Sequence, residues 1–114
     1  MPYLKINTNK SIDKGSEEDI AIKVSALVAE LLGKPESYVM TEINSGRTMT
    51  FAGSTEPLAY LELKSIGLPE NKTAVFSESL CAFIHENMDI SPGRVYLEFA
   101  DARRNMWGWN GSTF

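Results

Sequence analysis

The chain opens with alternating polar and apolar residues and continues with apolar residues at helical spacing. The alternation over Pro2–Thr8 places Leu4 and Ile6 on one face and predicts a β-strand. A helix is then predicted from the stripe Ile20, Val24, Leu27, Val28 and Leu31. Ser16 is its predicted N-cap, and Gly33 predicts its end because glycine readily adopts the left-handed conformation of helix C-caps.

Shorter elements are predicted after this helix. Pro35 cannot continue a helix because it lacks the backbone N–H group. We predict a second strand over Tyr38–Ile43, a turn over Asn44–Arg47, and a short third strand over Thr48–Ala52.

The same pattern then begins again, which indicates an internal repeat. A strand is predicted over Ala59–Leu63, a helix over Asn71–Asn87, and a strand over Arg94–Ala100. Three residue pairs share one offset along the chain: Pro2 with Ala59, Pro35 with Pro92, and Val39 with Tyr96. We therefore expect one domain built from two halves, residues 2–57 and 59–114.

Two β-α-β halves predict an α+β fold with a four-stranded mixed sheet and two helices on one face. We expect the other face to remain rich in apolar side chains such as Tyr3, Tyr60 and Met40. A single copy would expose that face or an edge strand, which favours an oligomer with short extra strands at the subunit interface. The aromatic, glycine-rich tail Met106–Phe114 is expected to pack against a neighbouring subunit.

Composition and charge narrow the functional classes. Cys81 is the single cysteine and His85 the single histidine among 114 residues, which argues against a disulfide framework or a zinc site. The formal net charge of −4 argues against general nucleic-acid binding. No apolar run approaches the ~20 residues that cross a bilayer, and the first residues lack a signal-peptide core. We expect a cytoplasmic protein without a membrane or nucleic-acid partner, and leave non-classical secretion open.

Pro2 is the first candidate for chemistry. Removal of Met1 is efficient before a small residue, and it would leave a secondary amine at the start of the chain. Desolvation and a nearby cation both disfavour the charged form of such an amine, so its pKa would fall toward that of a useful general base. Proline at this position is also common in proteins where it has no role, so Pro2 alone leaves both interpretations open.

Two further segments could hold an anionic ligand. Lys34 lies at the junction of the first helix and the second strand, where it could bind a carboxylate or simply interact with the helix dipole. Ser65-Ile66-Gly67 ends a strand, and its glycine would let backbone amides approach an anion. Three aromatic residues could line a pocket or pack in the core or an interface: Tyr96, Trp107 and Trp109.

Together these residues resemble the macrophage migration inhibitory factor family of the tautomerase superfamily, essentially from end to end. Pro2 carries this resemblance with six further segments in family order: Ile6–Asn9, Gly33–Pro35, Gly53–Pro57, Ser65–Gly67, Ser91–Tyr96 and Gly108–Phe114.

The resemblance implies a homotrimer with active sites at subunit interfaces. It also implies cofactor-independent keto–enol tautomerisation of phenylpyruvate-like 2-oxo acids and of dopachrome-type compounds. Pro2 would be the base, Lys34 and the backbone amide of Ile66 would hold the substrate carboxylate, and Tyr96 of a neighbouring subunit would close the pocket. Further residues that would line or adjoin the pocket are Tyr38, Ser65, Glu98, Trp107, Trp109 and Phe114.

The sequence departs from the family pattern at several positions. The family's Cys-x-x-Cys segment is here Leu58–Leu61, which gives a thiol-redox activity no chemical basis. Glu98 stands where an asparagine is frequent, and its carboxylate would repel an acidic substrate unless it is paired or turned away. Leu68 replaces a frequent lysine, and Trp107 is bulkier than the usual aliphatic residue and would narrow the pocket.

Two other functions stay open from the sequence. One is a cytokine-like or host-directed signalling protein with a receptor partner and a vestigial pocket. The other is a different reaction of the superfamily, such as dehalogenation or decarboxylation, for which Glu98, Arg103 and Arg104 supply charged groups. Intact Pro2 and Lys34 favour the tautomerase, because a purely signalling protein needs no prolyl base beside a cation.

Overall fold

Alternating strands and amphipathic helices assemble into one four-stranded mixed sheet with two helices on one side. The computed structural model describes all residues, Met1–Phe114. The strands are β1 (Tyr3–Thr8), β2 (Met40–Asn44), β3 (Ala59–Ile66) and β4 (Val95–Ala102), and the helices are α1 (Lys14–Leu32) and α2 (Thr73–Met88). A separate two-stranded hairpin near the C-terminus comprises β5 (Gly108–Trp109) and β6 (Ser112–Thr113).

The order of strands in the sheet, β2-β1-β3-β4, reflects the internal repeat. In each half a helix connects two strands that pair in parallel, β1 with β2 and β3 with β4. The two halves join where β1 pairs antiparallel with β3. The predicted α+β fold class is therefore confirmed. Strands β2 and β4 are the two edges of the sheet.

The core lies between the sheet and the two helices. Burial alternates along β1, with Leu4 and Ile6 fully buried, as the sequence pattern predicts. The helices contribute one buried stripe each: Ile20, Val24 and Val28 from α1, and Phe76, Leu80, Ile84 and Met88 from α2. Neither helix is long and apolar enough to cross a lipid bilayer.

The capping of α1 differs from the sequence prediction at one end. Asp13, not Ser16, is the N-cap, and its carboxylate accepts a hydrogen bond of 2.9 Å from the Ser16 backbone N–H group. The helix begins earlier than expected because a carboxylate is also a good cap and benefits from the helix dipole. At the other end Gly33 adopts φ = 62°, which confirms the predicted left-handed C-cap.

The short strand expected over Thr48–Ala52 does not form. Only an isolated bridge joins Phe51 to Ser54. Ala52 and Gly53 both have positive φ values, 54° and 71°, so the chain turns back where an extended strand was expected. The guanidinium of Arg94 holds this turn closed by donating to main-chain oxygens of Phe51, Ser54, Glu56 and Pro57.

The open face of the sheet carries charged as well as apolar side chains. The register aligns four charged residues across the strands: Glu42, Lys5, Glu62 and Glu98. Lys5 forms an ion pair with Glu62, with Nζ 3.4 Å from Oε2. The hydroxyl of Tyr3 donates to Glu42. The open face therefore carries the expected Tyr3, Tyr60 and Met40, together with a central row of charged residues.

Candidate active site

Pro2 lies at the beginning of β1 and is less than 2 % exposed. Its carbonyl oxygen accepts a hydrogen bond of 3.0 Å from the Met40 backbone N–H group, which fixes the start of β1 against β2. The amine of the structure belongs to Met1. Its pKa is lowered, first by burial and then by the positive charges of Lys34 and Arg104. The environment at this end of the chain therefore favours an uncharged amine.

A cavity of about 190 Å³ adjoins Met1; we call it the cationic cavity. Its lining comprises Met1, Lys34, Pro35, Tyr38, Ile66, Arg104 and Phe114. Two of these side chains are cationic and none is acidic.

Local backbone structure places Lys34 and Ile66 at this cavity. The left-handed Gly33 ends α1, and the Lys34 N–H group donates to the Ala29 carbonyl at 3.0 Å. Ile66 is the last residue of β3, and Gly67 follows with φ = 67°. The next N–H group, that of Leu68, donates to the Asp101 carboxylate at 3.0 Å, so the loop after β3 is fixed to β4.

A second, larger cavity of about 660 Å³ adjoins the first; we call it the aromatic cavity. Its lining includes Pro2, Trp107 and Trp109, and both cavities share Met1, Tyr38 and Phe114. The rings of Trp109 and Phe114 stack with centroids 5.7 Å apart, and Tyr38 meets Trp109 edge-on at 5.8 Å.

The C-terminal hairpin supplies two of these aromatic rings. Asn110 and Gly111 have φ values of 53° and 76°, and this turn lets β5 pair with β6. The tail therefore packs on Tyr38 of its own chain, while Trp109 remains 55 % exposed. The expected contact of the tail with a neighbouring subunit stays a prediction.

Three of the predicted site residues lie away from both cavities. Ser65 is fully buried on the helix side of β3, where its hydroxyl contacts the Ile66 carbonyl at 3.3 Å. Tyr96 is 65 % exposed on β4 and its ring lies 4.7 Å from that of Phe51. Glu98 lies on the open face of the sheet. Within one chain, Pro2, Lys34, Tyr38, Ile66, Trp107, Trp109 and Phe114 are brought together.

Arg104 is the cavity residue that the sequence did not assign to substrate binding. It begins a 3-10 turn, Arg104–Met106, between β4 and the hairpin. Its Nε donates to the main-chain oxygen of Phe114 at 3.3 Å, which holds the guanidinium at the cavity wall. One feature of the sequence indicates that Arg104 lies near the pocket. It comes just before the aromatic tail, whose residues were assigned to the pocket.

Comparison with known proteins gives one consistent result. The sequence model of the macrophage migration inhibitory factor family matches residues 1–114. A macrophage migration inhibitory factor homolog from Brugia malayi is 40% identical over 116 residues, which cover 100% of this chain and 99% of the relative. A homolog from Trichinella spiralis is 37% identical over 116 residues, covering 100% of both chains.

Solved structures agree with this result. The crystal structure of a macrophage migration inhibitory factor homologue from Prochlorococcus marinus superposes with a TM-score of 0.92 at 42% identity and covers 98% of each chain. The Trichinella spiralis structure superposes with a TM-score of 0.90 at 34% identity, covering 98% of this chain and 99% of that one.

Proposed function

Because this chain belongs to the macrophage migration inhibitory factor family, we propose that it is a cofactor-independent keto–enol tautomerase of phenylpyruvate-like 2-oxo acids. The nitrogen of Pro2 is the general base once Met1 has been removed. The observation that carries this proposal is the buried Pro2 directly after Met1, which lines a cavity together with Lys34, Arg104 and Ile66. Dopachrome-type compounds are a second substrate class of the same site.

The reaction needs only a proton transfer. The Pro2 nitrogen takes the proton from the carbon next to the carbonyl. The electrons of that C–H bond form a carbon–carbon double bond, and the π electrons of the carbonyl group move to its oxygen. The prolyl ammonium then returns the proton to this oxygen and gives the enol; the reverse path gives the keto acid. No atom is gained or lost, and no electron leaves the substrate. The carbonyl acidifies the carbon, so the protein supplies a base and binding for the charge.

Lys34 binds the substrate carboxylate and lowers the pKa of the neighbouring amine. The positive charge of Lys34 already lowers the pKa of the Met1 amine, and Pro2 follows directly in the chain. Lowering the pKa of this amine increases its unprotonated fraction at a given pH, and a general base must be unprotonated to act. The rings of Tyr38, Trp109 and Phe114 provide an apolar wall for the aromatic part of the substrate.

The active unit in this proposal is a homotrimer, with Tyr96 and Glu98 from a neighbouring subunit beside each Pro2. Tyr96 is largely exposed in the single chain, and the edges at β2 and β4 are available for contact. Light scattering gives the oligomeric state. A sharper test mixes the Pro2→Gly and Tyr96→Ala variants and refolds them together. In some mixed trimers, Pro2 of a Tyr96→Ala subunit then meets Tyr96 of a neighbouring Pro2→Gly subunit, and that site has both native residues. Failure to regain activity would argue for a site within one chain.

The decisive experiment compares native protein with two variants. Enol–keto conversion of phenylpyruvate and hydroxyphenylpyruvate is measured after mass spectrometry has confirmed the loss of Met1. Pro2→Gly should reduce kcat/KM by on the order of 100-fold or more. An alanine inserted between Met1 and Pro2 keeps the proline ring but makes its nitrogen an amide, and it should inactivate equally. Circular dichroism controls for folding. An inactive native protein, or full activity in either variant, would overturn the mechanism.

A signalling role is the second candidate function. The observation in its favour is the name shared by the relatives, which describes an effect on cell migration and not a reaction. The folded Pro2→Gly protein separates the two functions, because it removes the base and keeps the surface. Receptor binding that persists in this variant would support a signalling role independent of catalysis. A cytoplasmic location, expected from the sequence, also stays a prediction, which cell fractionation would test.

A further inference from the structure

The ring of Tyr96 is held by a contact from a residue outside the sheet. Tyr96 lies on β4, an edge strand, and is 65 % exposed. An exposed ring in such a place is ordinarily free to change rotamer. Here the ring of Phe51 lies against it, with centroids 4.7 Å apart and planes tilted by 48°. Aromatic pairs attract each other at this distance, so Phe51 restricts the orientation of the Tyr96 ring.

Phe51 can restrict another ring because it is itself fixed. Its N–H group and its carbonyl oxygen both pair with Ser54, each at 3.0 Å. Nη1 of Arg94 donates to the same carbonyl at 2.7 Å, and the guanidinium carbon lies 5.1 Å from the centroid of the Phe51 ring. One cation therefore holds both the backbone and the ring of Phe51.

Arg94 also belongs to the segment that carries Tyr96. It ends the 3-10 turn Pro92–Arg94, where its N–H group donates to the Ser91 carbonyl at 2.8 Å, and β4 begins at the next residue. The cation that holds the turn around Phe51 thus comes two positions before the ring that this turn contacts. The contacts from Arg94 to Phe51 and from Phe51 to Tyr96 form a closed unit.

The ring of Tyr96 has space to move if Phe51 is removed. Its direct neighbour on β3 is Tyr60, whose hydroxyl is bound to Glu98. An apolar cavity of about 240 Å³ adjoins Tyr96; we call it the turn cavity. Its lining comprises Met49, Thr50, Phe51, Ala52, Leu58, Ala59, Tyr60 and Tyr96. Loss of the Phe51 ring would enlarge this cavity and leave Tyr96 several orientations.

We propose that Phe51, held by Arg94, is a positioning residue that keeps the Tyr96 ring ready to close the substrate cavity of a neighbouring subunit. This inference rests on the proposed function for the role of Tyr96 at that cavity. Phe51 touches no reacting atom and acts through Tyr96. A ring that is already held loses less side-chain entropy when substrate binds, so Phe51 affects substrate binding and not the proton transfer at Pro2.

The test compares Phe51→Ala with Met49→Ala. Both substitutions shorten an apolar side chain that lines the turn cavity, but the aromatic contact with Tyr96 belongs to Phe51. Phe51→Ala should raise KM for phenylpyruvate on the order of fivefold and leave kcat nearly unchanged. Met49→Ala should leave both values nearly unchanged. Equal effects of the two variants, or a fall in kcat without a rise in KM, would overturn the positioning role.

A double-mutant cycle shows whether Phe51 acts through Tyr96. In protein that already carries Tyr96→Ala, Phe51→Ala should have little further effect on KM, because the ring that Phe51 positions is gone. Additive effects of the two substitutions would mean that Phe51 acts by another route and would overturn the inference. Phe51→Leu keeps an apolar side chain at the turn cavity and takes the place of Phe51→Ala if the alanine variant does not fold.

NMR separates this inference from the proposed reaction because it needs no turnover. The ring signals of Tyr96 are identified by their loss in Tyr96→Ala, and in the native protein the ring current of Phe51 displaces them. In Phe51→Ala they should move toward the values of a free tyrosine, whereas Met49→Ala should leave them in place. This result in an inactive native protein would reject the tautomerase but retain the positioning of Tyr96 by Phe51. Unmoved signals in Phe51→Ala would overturn the inference even in an active enzyme.

Discussion

The hydroxyl group of Tyr60 donates a hydrogen bond of 2.7 Å to Oε1 of Glu98 on the neighbouring strand. The sequence left open whether the Glu98 carboxylate would repel an acidic substrate, be paired or be turned away. In the structure it is paired with a phenol. Hydrogen bonding to the Glu98 carboxylate is also the main cause that raises the pKa of Tyr60 to about 12.

Replacing Glu98 with alanine should lower the pKa of Tyr60 from about 12 toward its ordinary value of 10.0. Because the folded-state pKa is raised, the hydrogen bond contributes its full stability below the unfolded pKa and loses it as the pH rises through the folded one. Phenolate absorbance during an alkaline titration measures the shift. Glu42→Ala is the matched control, since Glu42 raises the pKa of Tyr3 in the same way. Identical titration curves for Glu98→Ala and the native protein would contradict the assignment.

Substituting Lys34 with methionine should weaken the proposed carboxylate binding and raise the pKa of the amine at the start of the chain. We expect kcat/KM to fall on the order of tenfold or more. The acid limb of the pH–rate profile should move to higher pH, because the base must be unprotonated to act. Lys23→Met removes the same charge from the exposed side of α1 and should have little effect. An unmoved acid limb in Lys34→Met would exclude the electrostatic role.

Loss of the Arg94 side chain should open the turn around Phe51 and Ser54. Its Nη1 donates to the Phe51 carbonyl at 2.7 Å, and its Nη2 donates to the Glu56 carbonyl at 2.9 Å. Hydrogen bonds from a charged group contribute about 2 kcal/mol each, so Arg94→Ala should lower the free energy of unfolding by at least about 2 kcal/mol. Urea denaturation measures this change.

Arg94→Lys should recover only part of this stability, because a single ammonium group cannot reach all the carbonyls that the guanidinium contacts. Arg103→Ala serves as the surface control. The ring of Phe51 also contacts Tyr96, with centroids 4.7 Å apart. We therefore expect Arg94→Ala to change the environment of Tyr96 as well, visible in its aromatic NMR signals. A native-like stability for Arg94→Ala would show that water replaces these contacts.

Removing the N-cap carboxylate should destabilise α1 in a pH-dependent way. Hydrogen bonds from Ser16 hold the pKa of Asp13 below its ordinary value. The cap therefore stabilises the protein above the unfolded pKa, and this contribution is lost as the pH falls through the folded pKa. Asp13→Ala should lower Tm near neutral pH. Asp13→Asn keeps an acceptor oxygen and should retain most of Tm but lose the acid dependence. Equal Tm values for native protein and Asp13→Ala would exclude the cap.

Local signals in the sequence predicted most of the fold. The period of Ile20, Val24 and Val28 located α1, and Gly33 fixed its end, because these preferences act within a few residues. The Thr48–Ala52 strand failed because strand formation needs a partner, and this segment has none in its own chain beyond the bridge at Phe51.

The candidate site was harder to predict than the fold. Pro2 and Lys34 were identified through local chemistry and family resemblance, and both lie beside the amine at the start of the chain. Arg104 was not assigned to binding, because its contact with Phe114 depends on how the hairpin folds back. Nothing local in the sequence encodes that approach. The separation of Tyr96 from Pro2 within one chain likewise follows from the order of the strands.

Met1 and Phe114 both line the two cavities, and this has a practical consequence for handling the protein. An affinity tag fused before Met1 would place extra chain at the amine and prevent the exposure of Pro2. A tag fused after Phe114 would crowd the aromatic wall and disturb the contact with Arg104. Neither end is therefore a neutral point of attachment. A fluorophore or surface anchor belongs instead on the exposed side of α1, for example at Glu18.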